Sequence, residues 1–162
     1  MEPRIKKPLA LLPDVMAPIQ ALLKSASSSG VLPATLELVH LRASQINGCA
    51  WCVVAGTEKA TKAGEATERL AAVVAWREAP YFDDAERAAL ALTEAATRLA
   101  DRPDPVPDEI WDEAARHYDE PELAALVIAI ATINAWNRLA IAARSVPGQY
   151  QPAKPREMKT AG

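Results

Sequence analysis

Between Pro121 and Pro147-Gly148 the chain carries no proline or glycine, and this uninterrupted segment constrains the fold more than any other. Proline suits the first turn of a helix and Pro-Gly ends one, so the segment predicts the longest helix, Glu122 to about Arg144. Its alanines (Ala124, Ala125, Ala129, Ala131, Ala135, Ala140, Ala142 and Ala143) permit close helix approach, while Leu126, Ile128, Ile130 and Ile133 supply bulk. A helix apolar nearly all round is buried on all sides, and in a small domain part of that surface is expected to face another subunit. Asn134, Asn137 and Arg138 interrupt the apolar run and need polar partners, in a pocket, an interface or a structural network.

The other segments agree with an all-α domain. The 162 residues suffice for one core without disulfide staples, and 50% apolar with only 5% aromatic residues favours packed helices over a sheet. Residues 1–13 read as an irregular arm, 14–148 as the helical domain and 149–162 as a flexible polar tail. Asp14 is expected to cap a first helix to about Ser27, and Pro33 to open a second that Asn47-Gly48 breaks. A third runs from about Cys49 to Ala63, with Gly64 closing it. The fourth starts at Thr67, carries the run Arg69 to Trp76 and ends before Pro80. Asp83 or Asp84 caps the fifth, to about Leu99 and with Leu90, Leu92, Ala96 and Leu99 inward. Pro107 opens a sixth, to about Tyr118.

Charge and hydropathy exclude some functions. A net charge of −3 argues against a nucleic-acid binder, which needs a concentrated basic face. Pro8 and Pro13 interrupt any signal-peptide apolar region, and the most apolar stretch, Leu123 to Ile133, is short for a bilayer. The expectation is a soluble cytoplasmic protein with neither nucleic-acid nor membrane partner. In a reducing compartment a cysteine pair is more often catalytic or metal-binding than structural.

The chain has two cysteines, in Asn47-Gly48-Cys49-Ala50-Trp51-Cys52. A helix starting after Asn47-Gly48 places unpaired N–H groups and the positive dipole end beside Cys49, which favours thiolate. Three residues along a helix bring both sulfurs to one face, so redox chemistry leads. A metal site would need more ligands, and His40 and His117, the two histidines, have no metal-site spacing; no metal and no cofactor are expected. Two buried apolar cysteines remain the bland alternative.

The run from Glu37 to Cys52, Glu37-Leu38-Val39-His40-Leu41-Arg42-Ala43-Ser44-Gln45-Ile46 and then Asn47-Gly48-Cys49-Ala50-Trp51-Cys52, resembles the core motif of alkylhydroperoxidase D-like proteins, in the carboxymuconolactone decarboxylase superfamily. Similarity continues through Ala75-Trp76-Arg77, Glu86-Arg87-Ala88-Ala89-Leu90 and Asn134-Ala135-Trp136-Asn137-Arg138, over residues 15–147. The resemblance implies a helical fold assembled as a homotrimer or homohexamer. It also implies reduction of a small hydroperoxide through a Cys49/Cys52 dithiol–disulfide cycle, served by a thiol reductant protein. By it, Cys52 is the peroxidatic thiol, Cys49 the resolving thiol and Glu37 the proton-relay carboxylate.

At one position the chain departs from the motif. The family's relay histidine falls four residues after the second cysteine, where this chain has Gly56 in Val53-Val54-Ala55-Gly56. A missing base is worth about 10²–10⁴ in rate, so peroxidase turnover is expected to be impaired or redirected. An apolar pocket is expected to open beside Cys52 and Glu37. His40, one turn after Glu37, reads as a solvated surface histidine with a relay role as the alternative. Trp51 reads as packing, with a substrate platform as the alternative. Arg42 is expected to pair with Glu37 or a neighbouring carboxylate, and His117 to cap a helix end. Two further functions stay open: a decarboxylase-like enzyme or binding protein for a small organic substrate in that pocket, and a redox-sensing oligomer without turnover.

Overall fold

The computed structural model describes residues 2–5, 11, 13–100 and 102–148. The expected tail, 149–162, lies outside the described residues, as does much of the expected arm. Among the described residues there are seven α-helices and no strand, as the composition led us to expect. They are α1 (Met16–Ser27), α2 (Pro33–Asn47), α3 (Ala50–Lys62), α4 (Thr67–Ala72), α5 (Asp84–Thr97), α6 (Asp108–Ala115) and α7 (Glu120–Ala143).

The polar cap expected at the start of α5 is present in fuller form, and α7 has one that was not expected. Asp83 accepts from the Glu86 N–H at 2.8 Å while the Glu86 carboxylate accepts from the Asp83 N–H at 3.1 Å. Asp119 and Glu122 make the same reciprocal pair at the start of α7, so that helix begins two residues before the expected position. Asp14 does not cap α1: it sits in a 3-10 turn, Pro13–Val15, and Val15 precedes the helix without a side-chain bond. The fourth helix ends at Ala72 and tightens into a 3-10 turn, Val73–Ala75, earlier than the expected stop before Pro80, and α5 ends at Thr97, leaving Leu99 exposed. His117 follows α6 and reaches back to Glu113, its Nε2 3.3 Å from Oε1, instead of capping carbonyls.

Helix α2 is the central element, packed against α3, α5 and α7. One of its faces buries Val39 with Leu92, Leu126 and Ile130. The other buries Leu38 and Leu41 with Leu70, Val73, Trp76 and Leu90. Each such side chain contributes about 1.5–3 kcal/mol on burial. Helix α7 is longer than the apolar run suggested, and by length and composition it is suited to crossing a membrane. Here it packs on α1 and α2 with Leu126 and Ile130 almost fully buried, as a core helix does. Its outer side is apolar: Ile128, Ala131, Ala135, Trp136 and Leu139 line a groove with Ile19 and Leu22 of α1.

Candidate redox site

Helices α2 and α3 form an antiparallel hairpin whose turn carries the cysteines. Gly48 ends α2 in the left-handed region, φ 69°, where a side chain would be strained. Its N–H returns to Gln45 O at 3.2 Å, and the Cys49 N–H to Ser44 O at 3.0 Å. Cys49 then stands at the N-cap of α3, where its sulfur accepts from the Cys52 N–H at 3.3 Å. Cys49 and Cys52 are joined as a disulfide with Cα atoms 5.3 Å apart. Both are buried among Ala43, Ile133 and Ala140, with Trp51 and Trp136 packed against the cluster.

The turn is anchored from α7 by a buried amide network. Asn47 Nδ2 donates to Asn134 Oδ1 at 2.9 Å and to Asn137 Oδ1 at 2.8 Å. Asn137 Nδ2 donates to Ser44 Oγ, and Asn134 Nδ2 to Thr97 Oγ1 and Ile130 O. Asn134, a candidate for the pocket or the relay, thus belongs to the structural network that holds the residue before the Gly48 turn.

Below the disulfide the two helices meet in a regular register. Ala43 packs with Cys52, His40 faces Gly56, and Glu37 pairs with Lys59. Each step moves one helical turn along both helices, as antiparallel packing requires. The expected opening beside Gly56 is filled. A Cβ placed there would lie 2.9 Å from His40 Cδ2 and 3.2 Å from Nε2, so the imidazole occupies the space that a side chain at 56 would need. His40 is consequently no solvated surface residue: its Nε2 is sealed from solvent.

The electrostatics follow from this placement. Burial pushes the His40 ring below its ordinary value of 6.5, and Lys59 adds to the effect, while Glu37 and a hydrogen-bonding interaction with the Cys52 backbone oppose it. Glu37 points inward, its side chain 13% exposed, whereas its partner Lys59 is 74% exposed. Glu37 Oε2 and His40 Nε2 are buried without a hydrogen-bond partner, a state costing about 1–3 kcal/mol per group.

Arg42 pairs not with Glu37 but with a neighbouring carboxylate, the other partner expected for it. It donates from Nε to Glu94 Oε1 at 2.8 Å, and that carboxylate also takes the Trp76 indole N–H at 2.9 Å and Arg77 Nη1 at 2.9 Å. Burial raises the Glu94 pKa, but the hydrogen bonds from Trp76, Arg77 and Arg42 outweigh it and bring the carboxyl down to about 2. This cluster braces α2 against α5. Lys59 is the site residue that the sequence reading missed; its signal is the constant sum of facing positions (37 with 59, 40 with 56) once α2 and α3 are set antiparallel.

Comparison with known proteins locates this arrangement. A model of the carboxymuconolactone decarboxylase family matches residues 13–95. An uncharacterized protein of Bacillus subtilis, YdfG, is 37% identical over 132 residues, 82% of this chain and 88% of its own. The Escherichia coli protein YnjA, also uncharacterized, is 33% identical over 102 residues, 63% of this chain and 54% of its own. Among solved structures, ATU0492 of Agrobacterium tumefaciens superposes with a TM-score of 0.83 at 31% identity, covering 94% of this chain and 100% of that one. It is a protein of unknown function, suggested to be an antioxidant defence protein of the AhpD kind. The debrominase Bmp8 shares the fold, with a TM-score of 0.77 at 23% identity over 87% of this chain and 75% of its own.

Proposed function

Because the chain belongs to the carboxymuconolactone decarboxylase family, with an AhpD-like fold, we propose that it is a thiol peroxidase working through Cys49 and Cys52. The observation that carries this reading is the pairing of two buried cysteines, one capping α3 and the other in its first turn, beside Glu37 and His40. Cys52 attacks the terminal oxygen of a small hydroperoxide as thiolate, the O–O bond breaks, and the sulfur becomes a sulfenic acid while the alcohol leaves. The Cys49 thiol displaces water from that sulfenic acid and forms the disulfide. A dithiol reductant, itself oxidised to a disulfide, returns the pair to two thiols. Those two electrons balance the two taken by the peroxide. A cytoplasmic location belongs to this proposal, since a reducing compartment supplies such dithiols.

The test is consumption of cumene hydroperoxide with dithiothreitol as reductant. The reading expects turnover by the parent, none by Cys52→Ser, and in Cys49→Ser, reduced and then freed of dithiothreitol, one equivalent of peroxide consumed with a sulfenic acid left on Cys52. Turnover unchanged in Cys52→Ser would exclude it.

A second reading has its own support, because the fold also serves a debrominase, which acts on a different class of compound. In that case a small organic substrate would be bound or converted, and binding retained by the Cys49→Ser, Cys52→Ser double variant would favour it. The homotrimer or homohexamer implied by the sequence resemblance also stands as a proposal. The apolar groove between α1 and α7 is the surface a second copy would cover, and light scattering on the full chain tests it.

A further inference from the structure

We propose that His40 is the proton acceptor for the Cys52 thiol, an imidazole supplied across the hairpin from α2 into the space that Gly56 leaves on α3. The inference rests on the thiol-redox reading above and adds to it the group that makes Cys52 reactive. Three observations converge. The His40 ring lies against the Gly56 backbone, one helical turn beyond Cys52, and a single Cβ at 56 would collide with it. Its Nε2 is buried with no partner of its own, as is Glu37 Oε2 one turn away on α2. The ring also interacts with the Cys52 backbone, so its position is tied to the helix that carries the thiol.

The charged groups facing the ring are Glu37 from its own helix and Lys59 from α3. They make an ordered series: exposed Lys59 anchors Glu37, Glu37 stands behind His40, and His40 reaches the α3 turn below Cys52. A neutral buried imidazole is the form that can accept a proton. When Cys52 attacks the peroxide, its S–H proton passes to His40, Glu37 stabilises the imidazolium that results, and the same proton is returned to the alkoxide leaving group as O–O cleavage completes. No proton is gained or lost over the step. In this scheme Gly56 is the residue that makes room for the base.

The experiment uses the reduced full chain and follows Cys52 alone, in a Cys49→Ser background, by two rates: oxidation by cumene hydroperoxide and alkylation by iodoacetamide, each from pH 5 to 9. His40→Gln should slow both at pH 7, peroxide oxidation by about 10²–10⁴. It should also move the midpoint of the alkylation profile up toward the ordinary thiol value of about 8.5. His40→Gly with Gly56→His, which moves the ring to the other helix, should restore at least a tenfold share of the lost rate. A folded His40→Gln variant with the parent's profile and a rate within threefold would overturn the proposal. Should that variant fail to fold, NMR titration of the His40 ring in the parent decides. Different midpoints in the dithiol and disulfide forms support coupling to Cys52, and identical midpoints overturn it. If the parent is slow with peroxide yet its alkylation profile depends on His40, the peroxidase reading falls and the role of His40 stands.

Discussion

His40 and Gly56 share one volume: the imidazole on α2 lies where a side chain on α3 would begin, with 2.9 Å between its Cδ2 and the Cβ that a substitution would add. Two residues sixteen positions apart are thereby a single structural unit, and each constrains what the other can be.

The pair sets a double-mutant expectation. Gly56→Ala gains up to about 1 kcal/mol in helix propensity but forces the ring to move in a packed site, costing about 1–3 kcal/mol, so net destabilisation is expected. In a His40→Ala background the collision is gone, and Gly56→Ala should stabilise by about 0.5–1 kcal/mol. Urea midpoints of the four proteins check this, and additive effects would contradict the shared volume.

His40 also ties stability to pH. Burial lowers its pKa in the folded chain below the 6.5 of an exposed ring. The unfolded chain then binds the proton more readily, so this contribution is complete above pH 6.5 and is lost as pH falls from 6.5 toward the folded value. Urea midpoints measured at pH 7.5 and 5.5 should fall less on acidification in His40→Gln than in the parent. An equal fall in both would show that the ring is not held neutral.

Glu94 carries a different pH signature. Its carboxyl sits at about 2 in the folded chain against 4.5 unperturbed. Its stabilisation is therefore complete above pH 4.5 and disappears as pH drops from 4.5 to about 2. Removing the carboxylate leaves the buried Arg42 guanidinium without its partner, so Glu94→Ala should cost about 3–5 kcal/mol at pH 7. A loss below 1 kcal/mol would show that Arg42 finds solvent or another acceptor.

The amide network predicts an effect on the thiols at a distance. Asn137, fully buried, holds Asn47 and Ser44 together beside the Gly48 turn. Asn137→Leu removes one hydrogen bond each from Asn47 and Ser44, which keep their bonds to Asn134 and to His40 O, with an expected cost of about 1–3 kcal/mol in all. The loosened turn should make the Cys49–Cys52 disulfide easier to reduce. Equilibration of parent and variant with a dithiothreitol redox buffer measures the difference directly.

Much of the site was legible in the residues themselves. Asn47-Gly48 stops a helix, the cysteines begin the next, and Glu37 stands twelve positions before Cys49. Asp83 marks a helix start because a side-chain oxygen there accepts an N–H group that the helix leaves unpaired, a requirement local to four residues. An open pocket was expected beside Gly56, and His40 was read as a surface residue. Both readings treated each helix alone.

What the sequence determined by itself was governed by contacts a few residues apart: the run of helices, their breaks at proline and glycine, the Asp83 cap, and the placing of two sulfurs on one turn. The tertiary structure decided which side chains meet across the α2–α3 hairpin: Glu37 with Lys59, His40 with Gly56, and Arg42 on the far face with Glu94. The physical reason is that helix periodicity assigns a residue to a face, whereas its partner depends on the relative register of two packed helices. That register is set by the Gly48 turn and by the burial of Ala43 against Cys52.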